Sequence, residues 1–597
     1  MCYLIFRNHL SVSSNPAPAR RGESKGETIP MSPTRKTSAA AKTAPKKTAK
    51  PATAPAKASA AKKAAPAAKK AVAKKAAPEV YPGETAPERI IEADFKAVKG
   101  ERSDVWRDCV GAGRIGEGLR DTWRKQLAKC RKELGFRYLR AHGLFHDEMR
   151  VYSEDKAGNP VYNFMYIDDV FDFLLSIGIK PFVELSFMPE KLASGKTTIF
   201  WWKANVTPPK KHERWADLVR ATVRHWTERY GEDEVKTWRF EVWNEPDLDV
   251  FWDPGKKTTM LDAYLELYKH TARAVKSVNK AYPVGGPSGA GLDFIAPLVK
   301  YCRKNRLPLD FISFHQYGFD PENPALPKID RFGGNYIYLM KNLRHVADCF
   351  NKKLEDIRKN LRCDVPVYIT EWHASPSPVD PVHDSYFAAP FILEQLRNTE
   401  KLACMSLWTF TDIFEECGPA PRPFHGGFGL MTFQSIPKAA YRAYQCLAAL
   451  GPTELVSSDA SSYVCKDAKG GVQALFWDLT HPTQGGRISN QDTFFDPHPA
   501  KDKGHALFCL TGLKPGEYDL RVTRIGYRAG DAYSAWLEED GAKTDISREE
   551  IARLARVSQL RPMYRAQVAV MKGEEFQLGL DMKQNDVYFV ELIPLKQ

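Results

Sequence analysis

Two glutamates in this chain have the surroundings that carboxylate chemistry requires. The first lies in WRFEVWNEPDLDVFW, residues 238–252, where an apolar run ends in the turn-forming Asn244-Glu245-Pro246. The second lies in VPVYITEW, where Val365, Val367, Ile369 and Glu371 share one face of a period-two strand, with Glu371 at its C-terminal end. Two carboxyl groups held about 5–5.5 Å apart can act as acid and nucleophile in retaining glycoside hydrolysis. Neither glutamate suffices alone, and two unrelated strand-end acids are the alternative. The neighbouring acids fit other roles: Glu241 in mid-strand suits pairing with a buried base, and Asp247, Asp249 and Asp253 follow the proline as loop or cap residues.

Bringing the two tips together demands a scaffold that gathers strand ends at one face. Eight strand candidates are present, at Asp104–Val110, Phe136–His142, Lys180–Ser186, Thr237–Asn244, Pro283–Gly286, Asp310–His315, Val365–Glu371 and Ala403–Phe410. Segments such as Arg120–Leu134, Ile167–Ile177, Glu213–Tyr230 and Met260–Asn279 lie between them with helical spacing of apolar residues. A repeated β-α order of this kind predicts a (β/α)8 TIM barrel over residues 104–450, with Glu245 and Glu371 at the ends of its fourth and seventh strands. After the helical pattern of Lys438–Leu450, strand-like runs with turn signals predict a C-terminal β-sandwich over residues 451–597, interrupted by a helical insert at Ser547–Ala555. Residues 84–103 contain RIIEADFKAV, a strand that leads into the barrel or joins the sandwich.

The net charge of +14 belongs to the N-terminus. Met1–Pro78 hold 17 Lys and Arg against 2 Glu, so the other 519 residues carry about −1. Residues 32–78 are mostly Ala, Lys, Pro, Thr and Ser without an aromatic residue, a composition that predicts a disordered basic tail within residues 1–83. Such a tail could hold polyanions weakly and with strong salt dependence, although it lacks aromatics for stacking on bases. The 11 cysteines include no C-x-x-C pair, and no apolar run reaches the ~18 residues of a membrane span. A cytoplasmic protein with no membrane association is the expectation. GAGRIG, residues 111–116, satisfies G-x-G-x-x-G, but the next strand ends in FRYLRAH, without the acid that a dinucleotide ribose needs. These glycines are therefore expected to form a tight βα loop, and no cofactor or metal is expected.

CVGAGRIGEGLR, FRYLRAHGLFHDEM, KPFVELSFMP, FWWKANVTPP, FEVWNEPDLDVFW, SFHQYG, ITEW and LWTFTDIFEE follow one another in an order that resembles glycoside hydrolase family 39, specifically its bacterial β-xylosidases. The resemblance runs from about residue 90 to the C-terminus. It implies a retaining, exo-acting β-xylosidase working on xylo-oligosaccharides without a cofactor, with Glu245 as general acid/base and Glu371 as nucleophile. It further implies that Asn244 holds the sugar 2-OH, that His142, His315 and Tyr317 line the sugar site with Tyr317 orienting Glu371, and that Arg140 supports the nucleophile. Trp408, Glu415 and Glu416 match the family's eighth-strand platform and hydroxyl-binding acids, and Trp201-Trp202 its rim. Taken without the resemblance, His142, His315 and Trp408 read equally as core residues. The chain departs from the family after the nucleophile, where WHASPSP places His373 and Pro376 at positions often held by Asn and Tyr. An α-L-iduronidase-like specificity, or a binding role carried by the tail, are the competing functions.

Overall fold

The computed structural model describes residues 88–318, 343–397, 399, 401–481, 483–484, 487–488 and 494–595. The basic tail lies outside them.

Eight parallel strands close into a barrel in chain order: Cys109–Arg114, Tyr138–His142, Lys180–Leu185, Arg239–Val242, Val284–Gly289, Phe311–Tyr317, Val367–His373 and Cys404–Leu407. The last pairs back onto the first at Leu407 and Val110. Outer helices bury one apolar stripe each against this wall. His212–Tyr230 does so with Trp215, Val219, Val223 and Trp226, and its Trp215 indole donates to Thr271 Oγ1 of Met260–Val278 at 2.7 Å. Thr259 caps the second of these helices by accepting from the Asp262 amide at 3.0 Å.

The N-terminal end of the barrel is closed by a plug of Cys109, Phe182, Phe311, Tyr368 and Cys404. Into it reaches Arg239, whose guanidinium lies 4.1 Å from the Tyr138 ring and 4.5 Å from the Tyr368 ring while pairing with Asp108. The C-terminal end is therefore the open one, as barrel enzymes require.

The first strand corrects the sequence reading in two ways. Residues 105–107 form a 3-10 turn, and the strand runs through the glycines, so Gly111 and Gly113 are strand residues rather than a loop. Glycine is needed there because a Cβ on Gly111 would lie 2.3 Å from Trp408 Cε3, and one on Gly113 would lie 2.9 Å from Phe414 Cδ2. Of the expected segment Asp104–Val110, only Cys109 and Val110 belong to the strand, and Val105 and Trp106 fit its apolar pattern without being part of it.

Nine strands outside the barrel make one sheet, in the order Pro562–Val570, Gly516–Ile525, Val587–Pro594, Val472–Trp477, Ser462–Lys466, Thr453–Ser457, Arg89–Glu101, Asp502–Thr511 and Phe576–Lys583. The sheet curls until its inner faces share a core, with Phe476 and Phe508 rings 6.3 Å apart although four strand steps separate them in the order. Arg89–Glu101 belongs to this sheet, antiparallel to Thr453–Ser457 and parallel to Asp502–Thr511. The helical insert spans Arg548–Val557 behind a Ser547/Glu550 capping box. It packs with a second, unforeseen helix, Ala532–Glu538, against Phe424 of the barrel's last loop.

Candidate active site

Strand four ends at Val242, and the chain then turns with Trp243 at φ 71° and Glu245 at φ 44°, left-handed conformations that side chains other than Gly, Asn and Asp rarely adopt. Tertiary contacts hold this turn: the Trp243 indole donates to the Phe251 carbonyl at 2.9 Å, and the Glu245 amide to the Ser288 carbonyl at 2.9 Å. Asn244 and Glu245 are thereby fixed at the barrel mouth on a backbone that strand pairing alone would not give. Glu371 needs no such device, since it lies within strand seven, opposite His315 of strand six.

At the centre stands Arg140 of strand two, fully buried. Its Nε donates to Glu241 Oε2 at 2.6 Å, its Nη1 to Glu371 Oε1 at 2.8 Å, and its Nη2 to Asn244 Oδ1 and Ser288 Oγ, each at 2.9 Å. Glu184 Oε2 lies 2.7 Å from the same Nη2. One guanidinium thus ties together strands two, three, four, five and seven. A buried cation needs such partners to stay charged. Arg140 is held in its charged form because Glu241, Glu184 and Glu371 outweigh its burial, and Glu184 is held below the usual carboxylate range because His142 and Arg140 outweigh its burial.

Glu371 accepts a second hydrogen bond at Oε2, from the Tyr317 hydroxyl at 2.8 Å. His142 Nε2 lies 3.7 Å from Oε1, and His315 Nδ1 3.4 Å from Oε2. Burial raises the Glu371 carboxyl, while Arg140, His142 and the Tyr317 hydroxyl oppose that rise. Glu245 has no comparable cation. Burial pushes its carboxyl well above the ordinary range, and the charges of Glu371 and Asp247 push it further. Of the two, Glu245 is the one that holds a proton.

Proton accounting identifies which oxygen holds it. Ser288 Oγ accepts from Arg140, so its own proton is free to go to His315 Nε2, 3.0 Å away. Burial and Arg140 keep His315 neutral, which leaves its single N–H at Nδ1, pointed at Glu245 Oε1 over 2.7 Å. Oε1 is an acceptor, and Oε2 is free to carry the acidic proton.

His142 Nδ1 lies 2.8 Å from Glu184 Oε2, and its ring packs on Trp408 with centroids 4.6 Å apart. Glu416 Oε1 comes within 4.0 Å of His142 Nε2. Glu415 behaves differently from the sequence expectation of a hydroxyl-binding acid. Both its oxygens are held by arginines, Arg114 Nη2 at 2.8 Å and Arg120 Nη1 and Nη2 at 2.7 and 2.8 Å. It anchors an ion cluster at the rim. Trp202 is buried against His146, whereas Trp201 is 56% exposed and its amide donates to the Glu416 carbonyl at 2.7 Å.

Sequence reasoning missed Glu184, Ser288, Arg114 and Arg120. Glu184 stands inside the KPFVELSFMP motif, and its position one strand from Arg140 was the available signal. One oxygen each of Glu245 and Glu371 and one ring nitrogen of His315 lie within 4.8 Å of one another, the closest approach to a metal-ligand set among the described residues. Both Glu371 oxygens, both His315 nitrogens and Glu245 Oε1 are engaged by protein donors or acceptors. The arrangement is an acid and a carboxylate facing one another among buried polar side chains.

Residues 90–574 match the glycosyl hydrolases family 39. A beta-xylosidase of Caldicellulosiruptor saccharolyticus is 39% identical over 469 residues, which are 77% of this chain and 90% of that protein. A beta-xylosidase of Geobacillus stearothermophilus is 40% identical over 384 residues, 63% of this chain and 74% of the relative. Among solved structures, a monomeric beta-xylosidase from Caulobacter crescentus CB15 superimposes with a TM-score of 0.79 at 38% identity, covering 85% of this chain and 100% of its own. A closed barrel, two glutamates at its mouth and a match along most of the described chain lead to one assignment: this chain belongs to glycoside hydrolase family 39.

Proposed function

We propose that this chain is a retaining, exo-acting β-xylosidase that releases xylose from xylo-oligosaccharides. The observation that carries the reading is the Glu245/Glu371 pair, with oxygens within 4.8 Å and unlike surroundings. An approach that close favours the retaining spacing of about 5–5.5 Å over the roughly 6.5–9.5 Å of inverting enzymes. The sugar preference rests on the two beta-xylosidases that this chain resembles.

In the proposed mechanism Glu371, ionised beside Arg140, attacks the anomeric carbon while Glu245 protonates the leaving oxygen from Oε2. The C–O bond to the leaving group breaks as the glycosyl ester forms. Esterification removes the negative charge of Glu371, so the pKa of Glu245 falls and the residue, its proton already given to the leaving group, stays a carboxylate able to act as base. It then takes a proton from water as the water oxygen bonds to the anomeric carbon and the C–O bond to Glu371 breaks, which releases the sugar with retained configuration and restores both carboxyl groups. Asn244, fixed by Arg140, faces the sugar 2-OH; His142 and Glu416 receive other hydroxyls, with Trp408 beneath. Trp201, exposed at the rim, stacks on the sugar next along the chain.

The test is hydrolysis of p-nitrophenyl β-D-xyloside by the parent, Glu371→Ala and Glu245→Ala, with product configuration read by NMR. Retention by the parent, no turnover by Glu371→Ala, and accumulation of glycosyl-enzyme in Glu245→Ala are expected. An intact xyloside alongside cleaved α-L-iduronide would replace the sugar assignment and leave the pair standing. Inverted product would sink the mechanism.

A further inference from the structure

HGGFG, residues 425–429, is a motif that the proposed reaction does not use, yet its Phe428 packs near Tyr317, the hydrogen-bond donor to Glu371. Its backbone threads between the loops that follow strands seven and eight. A Cβ on Gly426 would lie 2.4 Å from the Val379 carbonyl carbon, and one on Gly429 would lie 2.3 Å from the Asp412 amide nitrogen. The Asp384 carboxylate accepts from the Gly426 amide at 2.6 Å, and the Asp412 carboxylate from the Gly429 amide at 2.7 Å. Fully buried Lys438 joins the two acids, with Nζ 2.5 Å from Asp384 and 2.7 Å from Asp412, and donates to the Gly427 carbonyl at 2.8 Å. Three charges, two loops and the motif form one knot.

The knot presents a single large side chain. Phe428 is buried, with its ring centroid 5.3 Å from Phe414, 5.0 Å from His383, 6.2 Å from His373 and 6.5 Å from Tyr317. His373 is one of the two positions, with Pro376, at which this chain departs from the pattern of the family it resembles. It stands opposite Tyr317 in the strand register, and His383 closes the stack 4.0 Å behind it. Tyr317 in turn has one polar contact that bears on the reaction, the 2.8 Å hydrogen bond to Glu371 Oε2.

We propose that Phe428 is a positioning residue: wedged between the knot and Tyr317, it fixes the tyrosine ring and, through the hydroxyl, the orientation of Glu371. The proposal rests on the assignment of Glu371 as nucleophile. The Phe428 ring, tilted 45° to that of Tyr317 in one aromatic cluster with Phe414 and Trp408, limits the swing of the tyrosine hydroxyl away from the carboxylate, and an error of about 1 Å at a reacting group is enough to cost 100-fold in rate. His373 and His383 are both held neutral by burial, His383 down to about 3, so the stack does not itself titrate in the working range. The groups that face Glu371 are Arg140, His142, His315, Tyr317, Glu184 and Glu245, and only the tyrosine contact runs through Phe428.

The experiment compares Phe428→Leu, Phe428→Ala, Tyr317→Phe and the double variant Phe428→Ala/Tyr317→Phe on p-nitrophenyl β-D-xyloside across pH. Phe428→Ala is expected to lower kcat about 10-fold or more and to move the acidic limb of kcat/KM to higher pH, since a carboxylate that loses a donated hydrogen bond is harder to ionise. Phe428→Leu, which keeps part of the volume, restores part of both and serves if the alanine variant does not fold. Tyr317→Phe moves the limb the same way, and adding Phe428→Ala to it changes little, the signature of two residues acting through one contact. Multiplied losses in the double variant, or a lower melting temperature with the acidic limb unmoved, overturn the role of Phe428. Turnover surviving in Glu371→Ala overturns the nucleophile assignment instead, and the two failures are separately visible.

Discussion

Arg140 decides how the acids of this site divide their work. It lies against Glu371, Glu241 and Glu184 but not against Glu245, whose own contact is with neutral His315. The proton of Glu245 is therefore kept largely by burial and by the charge of Glu371. Replacing Glu371 with Gln removes that charge at nearly constant shape, and the pKa of Glu245 should fall. Following the Glu245 carboxyl by infrared difference spectroscopy during a pH titration of Glu371→Gln checks this; an unmoved or higher value would show that Glu371 does not govern its partner. The same displacement has a consequence for stability. A carboxyl whose folded pKa is raised contributes stability that is fully present below its unfolded value, about 4.3, and is lost as pH rises through the folded pKa. Glu245→Gln never ionises, so it should melt above the parent at about pH 8, with the gap narrowing toward about pH 5. A gap that widens on acidification would refute the sign.

At this scale the sequence was informative where a residue's role is set by its own segment. Glu371 was legible because alternation puts it on the inner face of a strand, and Glu245 because a proline turn follows it. Ser288 and Glu184 were not, because their value lies in reaching Arg140 across the barrel, a distance no local pattern encodes.

Among the elements, the first strand teaches most. Sequence periodicity placed it over the apolar residues before the glycines, and the structure moves it onto CVGAGR. The physical reason is a side chain from strand eight: Trp408 fills the space that a side chain at Gly111 would occupy, so a residue type that normally weakens a strand is required inside this one. The remaining seven strands overlap the segments that their apolar runs marked, with boundaries shifted by a few residues at most. Gly111→Ala tests the explanation. The added methyl overpacks the barrel, which should cost about 1–3 kcal/mol. It should also push Trp408 from its place on His142 and raise KM. Denaturant unfolding and xyloside kinetics on the same preparation measure both, and an alanine enzyme with parental KM would mean that the indole has room to spare.

For the whole molecule, the question is why a sugar-cleaving barrel carries a nine-stranded sheet with a helical insert. The two halves are joined at the loops that build the site rather than only at the linker. The Tyr386 hydroxyl, after strand seven, donates to the His498 carbonyl at 2.7 Å, and the neighbouring Phe387 packs on Phe494 with ring centroids 5.9 Å apart. Trp536 of the helix Ala532–Glu538 packs on Phe424 with ring centroids 5.4 Å apart, two residues before the glycines that hold Phe428. The insert thus supports the last barrel loop from outside. Trp536→Ala should cost about 3–5 kcal/mol, as for other buried tryptophans, and should also lower kcat because the loop it supports leads into the site. Phe508→Ala, in the shared core of the sheet and away from the barrel, provides the contrast: a loss of stability of similar size with kcat unchanged at temperatures where the protein is folded. Melting curves and kcat measured well below the transition separate the two. Equal kinetic effects from both substitutions would reduce the insert to general stabilisation, whereas a kinetic effect confined to Trp536→Ala would make the C-terminal half part of the machinery that shapes the sugar site.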